Sequence, residues 1–371
     1  MNGKIFKTAA MLAAFGLLLP GAIIVMEMPS ASATTVAAPT YGNITVSNST
    51  IMVDDHVPTD KFFGVVDTTA MQFAIKAYIN GEMAVAGKSS VFPGPDTSNT
   101  LPMAENSNAT VFWHQYFSLM KHYNMNLVRL GAGDAWGSGI QYDAWTNHHD
   151  AYIAFLHNML KEAESQGIWV VLVMAGSQEY PTFEYGGSGS VFDPSTSAYA
   201  NMINYERDTM RSLKDETALG WYDVFNEPDH NLVDANYWHG DKVQFNTWAK
   251  SVERDTANVT SHPRTMGVAA LGTLFDWNKA DFDLATGKVG FEITHVHYYG
   301  ANKDPANFAG PEQWSKADGK PLFWGELGAN DVYPLTRYTF GEDTIWANGG
   351  QAITSMVLTG TPGYPNAGSV L

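Results

Sequence analysis

The sequence predicts an α/β fold: a (β/α)8 TIM barrel with a short N-terminal hairpin and an incomplete eighth helix. Three observations lead there. Short apolar runs rich in β-branched and aromatic residues alternate with longer stretches of helical periodicity, the pattern of βα units around a parallel sheet. The runs number eight, as closure of such a barrel requires, and 371 residues accommodate one barrel of typically about 250 residues with insertions.

In chain order, residues 1–33 read as a secretory signal peptide. Lys4 and Lys7 precede an apolar stretch from Ala9 to Val25, and the small-residue site at Ala31, Ser32 and Ala33 places cleavage after Ala33. Pro20 and Gly21 interrupt the stretch and Glu27 closely follows it, so it falls short of the roughly 20 apolar residues of a membrane span. Residues 34–60 form an N-terminal segment in which ITV at 44–46 and IMV at 51–53 read as a short hairpin rather than a domain. Residues 61–371 are the barrel. Its strands are expected at 62–66, 126–130, 168–174, 221–225, 265–270, 291–298, 321–325 and 352–358.

Helices are expected at 150–166, 197–215 and 242–256. In the first, Ile153, Leu156, Leu160 and Ala163 share one face and Gly167 terminates the helix. Residues 75–109 and 176–195 read as long loops on the catalytic side of the barrel. Only TGTPGYPNAGSVL follows Leu358, too little for a full closing helix.

Composition narrows the function. Aromatic residues make 13% of the chain and charged residues 16%, well below the roughly 25% charged of an average domain, which excludes a disordered polyelectrolyte. The net charge of −17 opposes nucleic-acid binding. It fits either an acidic extracellular habitat or a solubilising surface. With no cysteine, disulfides, thiolate metal sites and a cysteine nucleophile are excluded. Sequons begin at Asn43, Asn48, Asn108 and Asn258.

The sharpest local pattern is WYDVFNEP at 221–228, which delivers Glu227 to the C-terminal end of strand four with Asn226 beside it. KPLFWGELG at 320–328 ends strand seven in the same way. On the two-residue period of a strand, Leu322, Trp324 and Glu326 share a face, aiming Glu326 into the barrel mouth. Two carboxyl groups on opposing strand ends suit glycoside hydrolysis, one as proton donor and one as nucleophile. Taken singly, either Glu also reads as an ordinary charged strand end paired with Lys or Arg; the pair together with Arg129 and Tyr299 favours chemistry.

With MNLVRL at 125–130, HYY at 297–299 and WGELG at 324–328 set beside FNEP, the chain resembles glycoside hydrolase family 5, of the retaining (β/α)8 clan A that includes cellulases and β-mannanases. The resemblance runs from about residue 41 to 358, since the short hairpin before strand one is similar to the barrel floor of that family. It implies Glu227 as acid/base, Glu326 as nucleophile, Arg129 pairing with the nucleophile, Asn226 bonding the sugar 2-hydroxyl, Tyr299 donating to the nucleophile and His297 lining the same wall. Strand order, through the resemblance, assigns which Glu does which. Two departures leave the substrate open: strand three ends VLVMAGS without a histidine, and strand eight ends SMVLTG without a platform tryptophan.

On strand six, Ile293, His295, His297 and Tyr299 share a parity, with His295 read as a satisfied core histidine. His148 and His149 read as a solvated helix start, and no metal site is expected. Trp136 and Trp324 are read as sugar-contacting aromatics, with Tyr180, Phe183, Tyr185, Trp238, Trp277 and Tyr298 as further stacking candidates. The expectation is therefore a secreted, monomeric, cofactor-free retaining endo-β-glycosidase. Its partner is a β-1,4-linked polysaccharide, cellulose or another β-glucan first. Alternatives are a β-mannanase, another clan A glycosidase or transglycosylase, or a non-catalytic carbohydrate-binding barrel.

Overall fold

The computed structural model describes residues 41–58, 61–67, 69–79, 109–131, 139–176, 185–229, 238, 241–268, 290–298, 306–327 and 352–356. All belong to one compact unit, Pro39–Leu371. The signal-peptide reading and the chain end after residue 356 lie outside the described residues. Among the described residues no helix is long and apolar enough to cross a membrane.

The chain opens with a hairpin, β1 (Ile44–Ser47) and β2 (Thr50–Val53), paired antiparallel from Ile44 opposite Val53 to Ser47 opposite Thr50. Asn48 and Ser49 both have positive φ, as a tight two-residue hairpin turn requires. The barrel strands follow: β3 (Phe62–Asp67), β4 (Leu127–Leu130), β5 (Trp169–Val173), β6 (Leu219–Asn226), β7 (Arg264–Val268), β8 (Thr294–Tyr298), β9 (Leu322–Leu327) and β10 (Ala352–Met356). They close in sequence order, all parallel, with β10 pairing to both β9 and β3. All eight expected strands are present. Strands four, six and seven of the sequence reading are β6, β8 and β9.

Six described helices accompany the sheet: α1 (Thr69–Tyr78), α2 (Ala109–His122), α3 (Ile140–Gln166), α4 (Ser197–Ser212), α5 (Lys242–Thr256) and α6 (Ala306–Ala317). Helix α5 has the expected bounds because Asp241 caps it, its carboxylate accepting from the Val243 and Gln244 amides. Thr196 caps α4 likewise, accepting from the Tyr199 amide. Helix α3 starts ten residues earlier than expected. His148 has non-helical φ and ψ (−140°, 42°), so an N-terminal segment precedes the kink that the sequence reading took for a helix start. Gly167 ends α3 in the left-handed region at φ 68°, and its amide donates to the Glu164 carbonyl. Of the presumed loop 75–109, residues up to Tyr78 continue α1, and residues 80–108 lie outside the described residues.

Strand periodicity sorts the core into two layers. Phe62, Leu127, Trp169, Val171, Trp221, Ile293 and Phe323 fill the barrel interior together with Ile44, Ile51 and Val53 of the hairpin. The hairpin is thus the barrel floor. Tyr41 stacks on Trp169 at 4.8 Å, and the Trp169 indole donates to the Gly42 carbonyl. Alternate residues such as Val128, Leu130, Val170, Leu172, Tyr222 and Val296 face outward against the helices. A fully buried apolar side chain contributes about 1.5–3 kcal/mol, so the filled floor is a rigid base for the polar mouth above it.

Candidate active site

Arg129 enters the interior from β4 one period above Leu127. It is 1% exposed, and a buried guanidinium is tolerated only if its donors are filled. They are: Nε and Nη2 donate to Asp223 Oδ2 at 3.0 and 2.6 Å, Nη1 to Glu326 Oε1 at 2.6 Å, and Nη2 to Asn226 Oδ1 at 2.6 Å. Burial works against the charge, but Asp223 and Glu326 hold Arg129 above its ordinary pKa. Burial is also the largest influence on Asp223 and pushes its carboxyl up, while Arg129 opposes it. Three donors, two from Arg129 and the Gly267 amide at 3.0 Å, fill the Asp223 oxygens, which is the setting of a carboxylate.

A regular strand sends neighbouring side chains to opposite faces, yet Asn226 and Glu227 both reach the mouth. The ladder between β6 and β7 shifts register between Asp223 and Asn226. Val224 and Phe225 then both lie in the outer layer, and Asn226 returns inward to Arg129. Glu227 follows with φ 48°, its amide donating to the Gly267 carbonyl at 2.9 Å. A left-handed non-glycine residue costs on the order of 1–3 kcal/mol, a strain found where geometry serves a site. Trp238 secures the turn by donating its indole N–H to the Pro228 carbonyl at 3.0 Å.

Strand β9 uses the same device. Its pairing slips against both neighbours, between Val296 and His297 on β8 and between Ile353 and Ser355 on β10. The expected shared face of Leu322, Trp324 and Glu326 is therefore wrong. Leu322 and Trp324 face the outer layer, Phe323 faces the interior, and Glu326 turns inward to Arg129 past the slip.

His297 bridges the carboxyl groups. Its Nδ1 lies 2.6 Å from Glu227 Oε1 and 3.5 Å from Glu326 Oε1, and its Nε2 lies 3.0 Å from His295 Nε2. One donor atom each of Glu227, His297 and Glu326 fall within 4.8 Å of one another. A cation would find donors there, but Arg129 already supplies the positive charge at that point. His295 is fully buried, and burial, then His297 and Arg129, push its pKa well below the ordinary value, so it is a neutral imidazole.

Of the residues singled out in the sequence, Arg129, Asn226, Glu227, His297 and Glu326 converge. Tyr299 and Trp136 lie outside the described residues, as do Tyr180, Phe183, Trp277 and the Tyr298 side chain. Trp324 does not join the mouth: it is fully buried in the outer layer. Trp238 and Tyr185 are 2% and 3% exposed, so neither presents a ring for stacking. Two interior residues were missed. Asp223 carried a signal, an acid at inward parity within an apolar strand; His295 carries an unfilled Nδ1 and is not the satisfied core residue expected.

A buried polar cluster with two carboxyl groups at the C-terminal mouth of a closed (β/α)8 barrel is the class of protein that fold and site define. No family model and no curated protein matches the sequence. Solved structures match the fold. An endo-1,4-β-mannanase from Rhizomucor miehei shares 15% identity over 85% of this chain and 90% of its own, with a TM-score of 0.57. A glycoside hydrolase family 5 mannosidase from the same organism shares 11% over 88% and 92%, at 0.55. GH5_18 from Streptomyces cattleya, in complex with Manβ1-4GlcNAc, shares 13% over 82% and 75%, at 0.54.

Proposed function

We propose that the protein is a secreted retaining β-glycosidase of the glycoside hydrolase family 5 type. The observation that carries this reading is the pair Glu227 and Glu326, with carboxyl oxygens within 4.8 Å across the barrel mouth. Retaining enzymes hold their carboxyl groups about 5–5.5 Å apart, whereas inverting ones need about 6.5–9.5 Å to admit a water between them. In the first step Glu326, held by Arg129 Nη1 at 2.6 Å, attacks the anomeric carbon while Glu227 gives its proton to the departing glycosidic oxygen. In the second, Glu227 takes a proton from water, whose oxygen displaces Glu326 from the sugar. Asn226 spends its carbonyl on Arg129 and keeps its amide N–H groups for a sugar hydroxyl.

For substrate, the sequence alone favours a β-glucan. The fold neighbours shift the preference to β-mannosidic linkages, because those above are a mannanase, a mannosidase and a protein bound to Manβ1-4GlcNAc. Product analysis on mannan, soluble cellulose, xylan and aryl glycosides tests the choice, with NMR of the first-formed anomer testing retention. Turnover of mannan with retention is expected, and inversion would overturn the mechanism. Azide separates the two roles. The Glu227→Ala variant should yield a β-glycosyl azide, because azide attacks the glycosyl-enzyme without a base, and Glu326→Ala an α-azide by single displacement. Secretion is tested by the N-terminus of protein recovered from culture medium, expected at Thr34.

A further inference from the structure

Asp223 and His295 lie beneath the carboxyl pair, and neither is placed to touch a sugar. Both are fully buried. His295 occupies space that two glycines leave open: a Cβ on Gly325 would sit 1.6 Å from its Nε2, and one on Gly267 would sit 2.9 Å from its Cε1. The barrel is therefore shaped around an imidazole at this point. Among the described residues the groups facing it are Asp223 from β6 and His297 on its own strand, with Arg129 from β4, Glu227 and Glu326 completing the polar cluster.

The protons in this cluster follow from the contacts. His295 Nδ1 lies 3.5 Å from Asp223 Oδ2, long for a hydrogen bond, and makes no other contact of that kind among the described residues. A lone pair facing a carboxylate oxygen repels and an N–H attracts, so Nδ1 carries the hydrogen. A neutral His295 then has a bare Nε2. The 3.0 Å contact with His297 Nε2 requires one hydrogen between two nitrogens, and it must come from His297. With its Nε2–H committed to His295, His297 meets Glu227 Oε1 through Nδ1 at 2.6 Å, a contact that requires one hydrogen, and the same Nδ1 lies 3.5 Å from Glu326 Oε1.

We propose that Asp223 and His295 are positioning residues for the acid: through the chain Asp223–His295–His297 they hold the Nε2–H of His297 toward His295, so that its Nδ1 faces Glu227 and the two share the one hydrogen of their contact. The proton that leaves with the aglycone is thus held in the Glu227–His297 hydrogen bond. After water is deprotonated in the second step, the proton returns to that bond, and His295 and Asp223 neither gain nor lose one. This rests on the assignment of Glu227 as acid/base.

Nitrogen-15 NMR of histidine-labelled wild-type protein reads the tautomers directly, with His295→Phe identifying the signals. The expected result is His295 protonated at Nδ1 and His297 at Nε2. Protonation of His295 at Nε2 overturns the proposal. A kinetic test uses phenyl and 2,4-dinitrophenyl β-mannosides. The phenolate of the first needs protonation and that of the second does not, so His295→Phe should lower kcat/KM on the phenyl glycoside at least tenfold more, with the alkaline limb of its pH profile moved to lower pH. Equal losses on both with an unmoved limb would mean a purely structural role and overturn the proposal. If His295→Phe does not fold, His295→Leu serves for both measurements, because it too removes the acceptor that faces His297 Nε2. Azide products as described above with reversed tautomers would refute this inference and leave the glycosidase reading standing.

Discussion

Replacing Arg129 by Met tests the centre of the site. The substitution keeps length and volume but removes four hydrogen bonds and the charge between Asp223 and Glu326, whose side chains are 0% and 7% exposed. Breaking a buried ion pair from one side costs about 3–5 kcal/mol, because a charge is left without compensation. Two carboxylates share the loss here, but Asp223 keeps the Gly267 amide and Glu326 keeps His297 at 3.5 Å, so the same range applies. The cost depends on pH. In the variant the Asp223 carboxyl, pushed up by burial, loses the opposing guanidinium, so above about pH 4 the folded state holds more protons than the unfolded one. Its deficit relative to wild type is therefore smallest near pH 4 and grows toward pH 8. Urea unfolding at pH 5 and pH 8 reads this out. A deficit below about 1 kcal/mol at pH 8, or an equal one at both pH values, would refute the argument. So would an undiminished cost in an Asp223→Asn background, since neighbours sharing a network couple.

Further outcomes follow from individual residues. Glu326→Ala should lower kcat on the order of 10⁴-fold or more while leaving the near-UV circular dichroism intact, and normal turnover would remove the nucleophile assignment. Gly325→Ala forces a methyl group onto the His295 ring, so it should destabilise by at least the roughly 1–3 kcal/mol of an overpacked core, measured as a fall in Tm. Burial pushes the Glu312 carboxyl up to about 7, and the fully buried Glu206 is pushed well above its ordinary value by the same cause. An acid with a raised folded pKa adds stability that is complete below about pH 4.5 and lost as pH rises through the folded value. For Glu312 that is at most about 3 kcal/mol between pH 4.5 and 8, less as far as water reaches the carboxyl. Glu312→Gln should flatten the fall of Tm over that interval, and an unchanged slope would count against it.

Much of the architecture was legible because it depends on local periodicity. Eight apolar runs became eight strands, and Lys242–Thr256 was bounded correctly by its capping Asp241. Arg129, Asn226, Glu227, His297 and Glu326 were identifiable because polar side chains at the C-terminal ends of apolar strands have few structural uses. Helix α3 was misjudged at its start because a kink at His148 interrupts the pattern that would have revealed the earlier turns.

Side-chain direction at the mouth was beyond the reach of pattern. Trp324 and Glu326 have the same parity, and only the slipped pairing of β9 against β8 and β10 sends the indole outward and the carboxyl group inward. Likewise Asn226 and Glu227 share the interior because β6 slips against β7 and Glu227 adopts a left-handed backbone. The roles of Asp223 and His295 depend on contacts spanning 94 residues to Arg129 and on glycines contributed by two further strands. A strand's alternation is written in its own residues, so the amino-acid order alone specifies a barrel and the chemistry available at its rim. A bulge belongs to the hydrogen-bond register between neighbouring strands, and register exists only once the barrel has closed.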